Sequence, residues 1–360
     1  MSNLLIEPPR KPSSSSNRSP AGRSHVKRVP RRQLPGWTVA LIDFLLVGVT
    51  VCIFALFHHV IPRKANNPGL EISRPPVSVP DSQTVAPPSS EGASQPDSSQ
   101  SDLGMFGGKF SDKFSDTVEK TASSYKSRDI SVTLTKHVLE EGTKNQVTYF
   151  VADIYIRNID NFRTAFAGGE YGHGYRAETV KLARENNAVI ALSGDYYGIR
   201  ETGVVIRNGK LYRNAPADSD ICVLYYDGTM ETYSPGEFDV NAAVAKGAYQ
   251  AWTFGPQLLD NGQVMDTFNT DVRPANPRSA IGYIEPGHYV FVLVDGRQSG
   301  YSAGLRFEKL SQIFYDLGCK AAYNLDGGQS AVMAFDGEVA NQPAGGGRSI
   351  SDILYIGEVG

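Results

Sequence analysis

The run Trp37–Phe57 puts 21 residues in a row with one charge among them, Asp43. At about 1.5 Å per residue, a helix of that length crosses a hydrocarbon core of roughly 30 Å. A run so apolar has no place on the surface of a water-soluble domain, so it divides the chain into two parts facing different surroundings. A secretory signal peptide is the rival reading. Its apolar stretch is usually about 7–15 residues and ends at a small-x-small cleavage site, which His58-His59-Val60-Ile61-Pro62-Arg63-Lys64 does not offer. Residues 37–61 are therefore read as an uncleaved transmembrane anchor.

Charge orients it. Residues 1–36 hold eight Lys or Arg (Arg10, Lys11, Arg18, Arg23, Lys27, Arg28, Arg31, Arg32) against Glu7, a net +7, which leaves −10 for the rest of a chain whose total is −3. The positive-inside rule places this basic tail in the cytoplasm and the remainder outside, against the weaker opposing pair Arg63 and Lys64. Asp43, six residues past Trp37, is tolerated near the inner interface. The tail's cations suit anionic lipid headgroups, and nucleic acid is not an expected partner.

Residues 62–124 read as a Pro/Ser-rich stalk. Positions 65–104 contain nine Ser, seven Pro and no aromatic residue, too little apolar surface to offset chain entropy. The three cysteines, Cys52, Cys222 and Cys319, show no ligand or disulfide spacing, and free thiols are expected at 222 and 319. His137, His173 and His288 lack HExxH spacing, so no metal ligand is assigned and transition-metal hydrolysis has little support.

A folded ectodomain is expected over 125–360, of the α/β (α+β) class, with a mixed twisted sheet flanked by helices. Ile130–Lys136 alternates apolar with polar, residues 140–145 supply a turn, and Val147–Ile156 returns, which makes a hairpin. A short helix over 176–187 precedes the apolar run Ala188–Leu192 and then Ser193-Gly194-Asp195-Tyr196-Tyr197. A second helix over 305–317 precedes Ala321–Leu325 and then Asp326-Gly327-Gly328-Gln329-Ser330. Val290–Val294 ends likewise in Asp295-Gly296-Arg297. Strand ends beside helices form a natural rim for a ligand, and glycines let a ligand approach the backbone. Each Asp-Gly alone is also an ordinary turn former; three together select Asp195, Asp295 and Asp326 as candidate catalytic carboxylates.

From about Arg128 to Gly357 the chain resembles the phosphodiester glycosidase domain family. The resemblance is carried by Ala191-Leu192-Ser193-Gly194-Asp195-Tyr196-Tyr197, Gly203, Asn208-Gly209 and Pro277-Arg278-Ser279-Ala280-Ile281-Gly282. It continues through Val294-Asp295-Gly296-Arg297, Ser302-Ala303-Gly304-Leu305 and Asn324 to Ser330, in the family's order. Ser193 stands before Gly194-Asp195 where many relatives have Asn, and Gln329 stands where many have a third glycine. The resemblance implies hydrolysis at a sugar-1-phosphate linkage on a carbohydrate or sugar-phosphate substrate, with no cofactor, although oxygen-rich loops could hold a structural calcium.

Cleavage of that linkage develops oxocarbenium character on the sugar, while a phosphate monoester departs readily at neutral pH. The chemistry then asks for a cationic clamp and a carboxylate more than for a strong acid. Asp326 is the expected principal carboxylate, with Asp195 or Asp295 as partner. Arg278 and Arg297 are expected to clamp phosphate, Gly327 and Gly328 to offer amides, Ser330 a hydroxyl, and Tyr197 or Tyr196 a stacking face. His173 is a further candidate acid. Two competing readings use the same cleft: a non-catalytic polysaccharide-binding or exopolysaccharide assembly protein, and a metal-dependent phosphodiesterase attacking phosphorus.

Overall fold

The structure, a computed structural model, describes residues 34–57, 61–75 and 104–359. Most of the basic tail and the 76–103 portion of the expected stalk lie outside the described residues. Gly36–Ala55 forms one α-helix whose side chains are exposed except for the half-buried Thr38. It is long and apolar enough to cross a membrane.

The remainder is a separate compact unit of antiparallel sheets and short helices. The α+β expectation holds, and every strand pairing among the described residues is antiparallel. A nine-stranded sheet runs through Gln257–Asp260, Ala321–Leu325, Arg278–Glu285, His288–Val294, Val147–Ile156 and Ile130–Leu139. A five-stranded sheet centres on Ala188–Ser193 and Asp352–Gly357, and a six-stranded sheet on Ile221–Tyr225, Ala248–Thr253 and Gly203–Arg207.

Side chains alternate across a strand, so each sheet has two faces to cover. One face of all three sheets meets in a common core, where Ile154, Ile281, Phe291 and Tyr323 pack with Ile190, Leu354, Met333, Leu224 and Trp252. The other faces take helices. Phe307–Asp316 lays Leu310 and Phe314 on Ala280, Val290 and Val292, and Thr179–Glu185 lays Leu182 and Ala183 on Ala191 and Ile353. Cys222 and Cys319 are buried free thiols.

The stalk expectation needs correction, because residues 61–75 and 104–126 belong to the folded unit. Arg63–Lys64 pairs with Gly172–His173, Leu70–Glu71 extends the six-stranded sheet along Lys210–Leu211, and Glu119–Lys120 and Ser124–Lys126 extend the nine-stranded one. A few apolar residues suffice where the slot is already built. Ile72 is buried against Val204, Ile206 and Tyr225, and Phe106 joins the common core. The Phe106 side chain fits because Gly228 and Gly287 have none; a Cβ at Gly228 would come within 2.5 Å of its ring, and one at Gly287 within 2.7 Å of its Cβ. Average composition over the segment conceals such isolated contacts.

In the full chain, Phe106→Ala should destabilise the folded unit by about 3–5 kcal/mol and Ile72→Ala by about 2–5 kcal/mol in denaturant unfolding, the range for truncated core side chains. Values near zero would return both segments to an unpacked stalk.

Candidate active site

Three strand ends gather because of register. Ser279 pairs with Leu325 and Arg278 with Val294, so Arg278, Asp295 and Asp326 emerge at one end of the nine-stranded sheet. The end of Ala188–Ser193 is stitched to them from the other sheet: the Asp326 amide donates to the Gly194 carbonyl at 3.1 Å, and the Ser193 hydroxyl donates to the Asp326 carbonyl at 3.0 Å.

At this junction opens a cavity of about 660 Å³, walled by Asp326, Gly327, Gly328, Asn324, Phe254 and Phe307 and by the arginines at 200, 273, 278, 297 and 348, with Asp218 and Asp271 also on the wall. Asp326 is only 7% exposed. Arg348 Nη2 reaches both of its carboxylate oxygens, at 3.2 and 2.9 Å, and Arg348 Nε donates to Ser330 Oγ at 2.5 Å. Burial pushes the Asp326 carboxyl above the usual carboxylate range, while Ser330, Arg348 and Arg200 pull it back.

Arg278 is 4% exposed and has no carboxylate partner among the described residues. Its guanidinium rests 3.8 Å from the Phe307 ring centroid and donates to the carbonyls of Leu305 (3.1 Å), Val272 (3.1 Å) and Pro274 (2.8 Å). Burial, and then the nearby Arg297 charge, lower its pKa to about 10. The three carbonyls satisfy its N–H groups without neutralising its charge. Arg297 is exposed and held by Asn276 Oδ1, at 3.1 Å from Nε and 2.9 Å from Nη2. Its φ of +58° is unusual for a residue other than Gly, Asn or Asp. Gly328 lets it close in, since a Cβ there would lie 3.2 Å from Arg297 Nη2.

The expected site residues divide. Asp326, Arg278, Arg297, Gly327 and Gly328 line the cavity. The Gly328 amide, however, is already spent on the Pro277 carbonyl at 3.0 Å, so it is no donor to a ligand. Ser330 is fully buried and acts on Arg348 and Asp326 instead of on the cavity.

Asp195 and Asp295 do not face the cavity. Asp195, 1% exposed, pairs with Arg207 at 2.8 Å and accepts from the amides of Tyr197 (3.2 Å) and Thr253 (2.9 Å). Arg207 pairs in turn with Asp352 at 2.8 Å, a buried triad with two carboxylates on one guanidinium. Asp295 accepts from Tyr301 Oη (2.8 Å), Asn341 Nδ2 (2.7 Å) and the Gln342 amide (3.0 Å). Both carboxylates are saturated, Asp195 by strand and turn groups and Asp295 by loop groups, which is a positioning duty. Tyr197 is also core: it is buried, stacked on Tyr171 at 5.3 Å and edge-on to Phe166 at 5.2 Å. His173 lines a different groove, with Ile61, Arg63 and Glu201. No group of three or more His, Cys, Asp or Glu among the described residues is arranged as metal ligands.

Comparison with known proteins bears on this cleft directly, because the matched stretch contains most of its wall. Residues 186–357 match the phosphodiester glycosidase family. The phosphodiester glycosidase match thus takes in Asp326, Arg278, Arg297 and Arg348. A 228-residue stretch, 60% of the chain, is 30% identical to the SPbeta prophage-derived uncharacterized protein YomE of Bacillus subtilis (strain 168) and spans 34% of that protein's length. The fold resembles that of the zebrafish N-acetylglucosamine-1-phosphodiester alpha-N-acetylglucosaminidase catalytic domain auto-inhibited by its pro-peptide. That likeness has a TM-score of 0.54 and 23% identity over 68% of this chain and 89% of that one.

Sequence reasoning missed Arg348 and Arg200 as residues of the cavity wall, and left open which of Tyr196 and Tyr197 lies beside them. Tyr196 has φ +67°, and the guanidinium carbons of Arg348 and Arg200 lie 5.2 and 5.9 Å from its ring centroid. Nothing in the local sequence links Arg348 to Asp326, 22 positions earlier.

The triad makes a testable signature. Burial, and the neighbouring Asp195 charge, raise Asp352 to about 6 although Arg207 opposes them. The native state therefore holds this proton more tightly than the unfolded chain, and stability is lost as pH rises from about 4 to about 6. Asp352→Asn removes that dependence and leaves Arg207 paired with Asp195. Urea unfolding at pH 4.5 and pH 7 should show the variant gaining on the wild type at the higher pH; a constant difference would contradict the shared charge.

Proposed function

We propose that the cleft hydrolyses a glycosyl phosphodiester. The observation that carries this is Arg278, a buried guanidinium with no carboxylate partner among the described residues, opening into the cavity that Asp326 also lines. Arg278 and Arg297 hold the phosphate oxygens. Asp326 in its ionised form either attacks the anomeric carbon or takes the proton of the attacking water. The C1–O bond breaks, its electron pair leaves with the phosphate oxygen, and the water oxygen ends on C1. One well-placed carboxylate is enough, because a phosphate monoester leaves without a proton; this removes the need for Asp195 or Asp295 at the sugar. Helix Gly36–Ala55 holds the enzyme in a cell membrane, and the charge asymmetry sets the basic tail in the cytoplasm and the catalytic unit outside. The family match supports the glycosidase class.

Asp326→Asn, checked for intact folding by circular dichroism, should lower kcat on a synthetic sugar phosphodiester by about 10²–10⁴-fold. Hydrolysis in ¹⁸O-water should place the label in the sugar. Label in the phosphate would mean attack at phosphorus and end the glycosidase reading.

The acid limb of kcat/KM reports the free enzyme. Since burial raises the Asp326 carboxyl, activity should fail as pH drops through a value above the ordinary carboxylate range. A limb at or below about 3.9, the unperturbed value, would remove Asp326 from that role.

A further inference from the structure

Neither the fold nor the phosphate clamp accounts for Arg200. It closes the single turn Tyr197–Ile199, and its carbonyl accepts from the Arg213 guanidinium, which fixes the backbone. Its own guanidinium is half-buried on the cavity wall, with its central carbon 5.0 Å from the Phe254 ring centroid and 5.9 Å from that of Tyr196. Among the described residues no carboxylate pairs with it. Placing an arginine on two aromatic faces holds it in position without neutralising it.

The charge of the wall gives the reason. Five arginines stand against Asp218, Asp271 and Asp326, a surplus of two positive charges. The Asp326–Arg348 pair cancels internally. A glycosyl phosphodiester supplies one negative charge and so leaves the wall as a whole with one positive charge in surplus. Arg200 is beside the chemistry, since its charge acts on Asp326, and the cavity, at about 660 Å³, has room for more than one sugar unit.

Resting on the glycosyl-phosphodiester reading of the cleft, we propose that Arg200, seated on Phe254 and Tyr196, forms a second anion subsite. The substrate is then a glycosyl phosphodiester that carries a further anionic group next to the scissile link. Two sources supply that chemistry: another phosphodiester, as in a sugar–phosphate polymer, or the carboxylate of a uronic acid.

The test uses the full chain in detergent, as wild type, Arg200→Gln and Arg200→Lys, with three synthetic substrates that share the scissile link. One has no second anion, one a second phosphodiester, one a uronate. At low salt the wild type should favour one charged substrate over the uncharged by about 10-fold or more in kcat/KM, the scale of a charge-assisted hydrogen bond. Which one it favours identifies the source. Arg200→Gln should bring that ratio close to one, and Arg200→Lys should keep part of it.

Calorimetry with non-hydrolysable phosphonate analogues, with and without the second anion, reads the same ratio as affinity. A ratio that Arg200→Gln leaves in place in both measurements overturns the subsite. Loss of the affinity ratio without turnover of any substrate upholds the subsite and overturns the hydrolase reading.

Discussion

A single buried guanidinium, that of Arg207, ties the site to the fold. It is 1% exposed, and it reaches Asp195 and Asp352 with two of its nitrogens while a third donates to the carbonyls of Ile206 and Ala251. Arg207 and Thr253 come from the six-stranded sheet, Asp352 from the five-stranded sheet, and Asp195 from the loop that leaves it. Burying three charges is costly, and removing one partner from such a group typically costs about 3–5 kcal/mol. The return is position: the sheets are locked where Gly194 accepts from Asp326, so the catalytic candidate inherits its place from an ion cluster it never touches.

Strain explains what the other two carboxylates do. Tyr196 and Arg297 both sit at positive φ, in a conformation that costs of order 1–3 kcal/mol and persists only when its surroundings hold it. Each follows within two residues of a saturated aspartate. Asp195 fixes the turn that presents the Tyr196 ring to Arg348, and Asp295 fixes the turn that sends Arg297 toward Asn276 and Gly328. Aspartates expected to act on a sugar instead hold Tyr196 and Arg297 in unfavourable backbone shapes.

This division marks how far the sequence could be read. Strands such as Ala321–Leu325 and the hairpin of Ile130–Leu139 with Val147–Ile156 were legible because alternation and turn residues are local signals. Asp326 and Arg297 were legible beside glycines at strand ends, and Arg278 through the Pro277–Gly282 motif that carries the family resemblance. Asp195 looked equivalent to Asp326, because a carboxylate after an apolar strand is the same pattern in both. What separates them is Arg207 beneath one and Arg348 beside the other, partners that only the packing of sheets supplies. Tyr196 and Tyr197 were likewise indistinguishable until a left-handed turn set one ring against Arg200 and Arg348 and the other in the core. The stalk was misjudged where Ile72 and Phe106 each had a slot waiting.

Because Leu70–Glu71 and Ser124–Lys126 are both paired into sheets, the Pro/Ser-rich stretch 76–103 joins two segments of the same folded unit. A protease that nicked it would leave two polypeptides still joined by strand pairing and by the buried Ile72 side chain. Separating the folded unit from the apolar helix would instead require a cut upstream of Arg63, in the few positions that follow that helix.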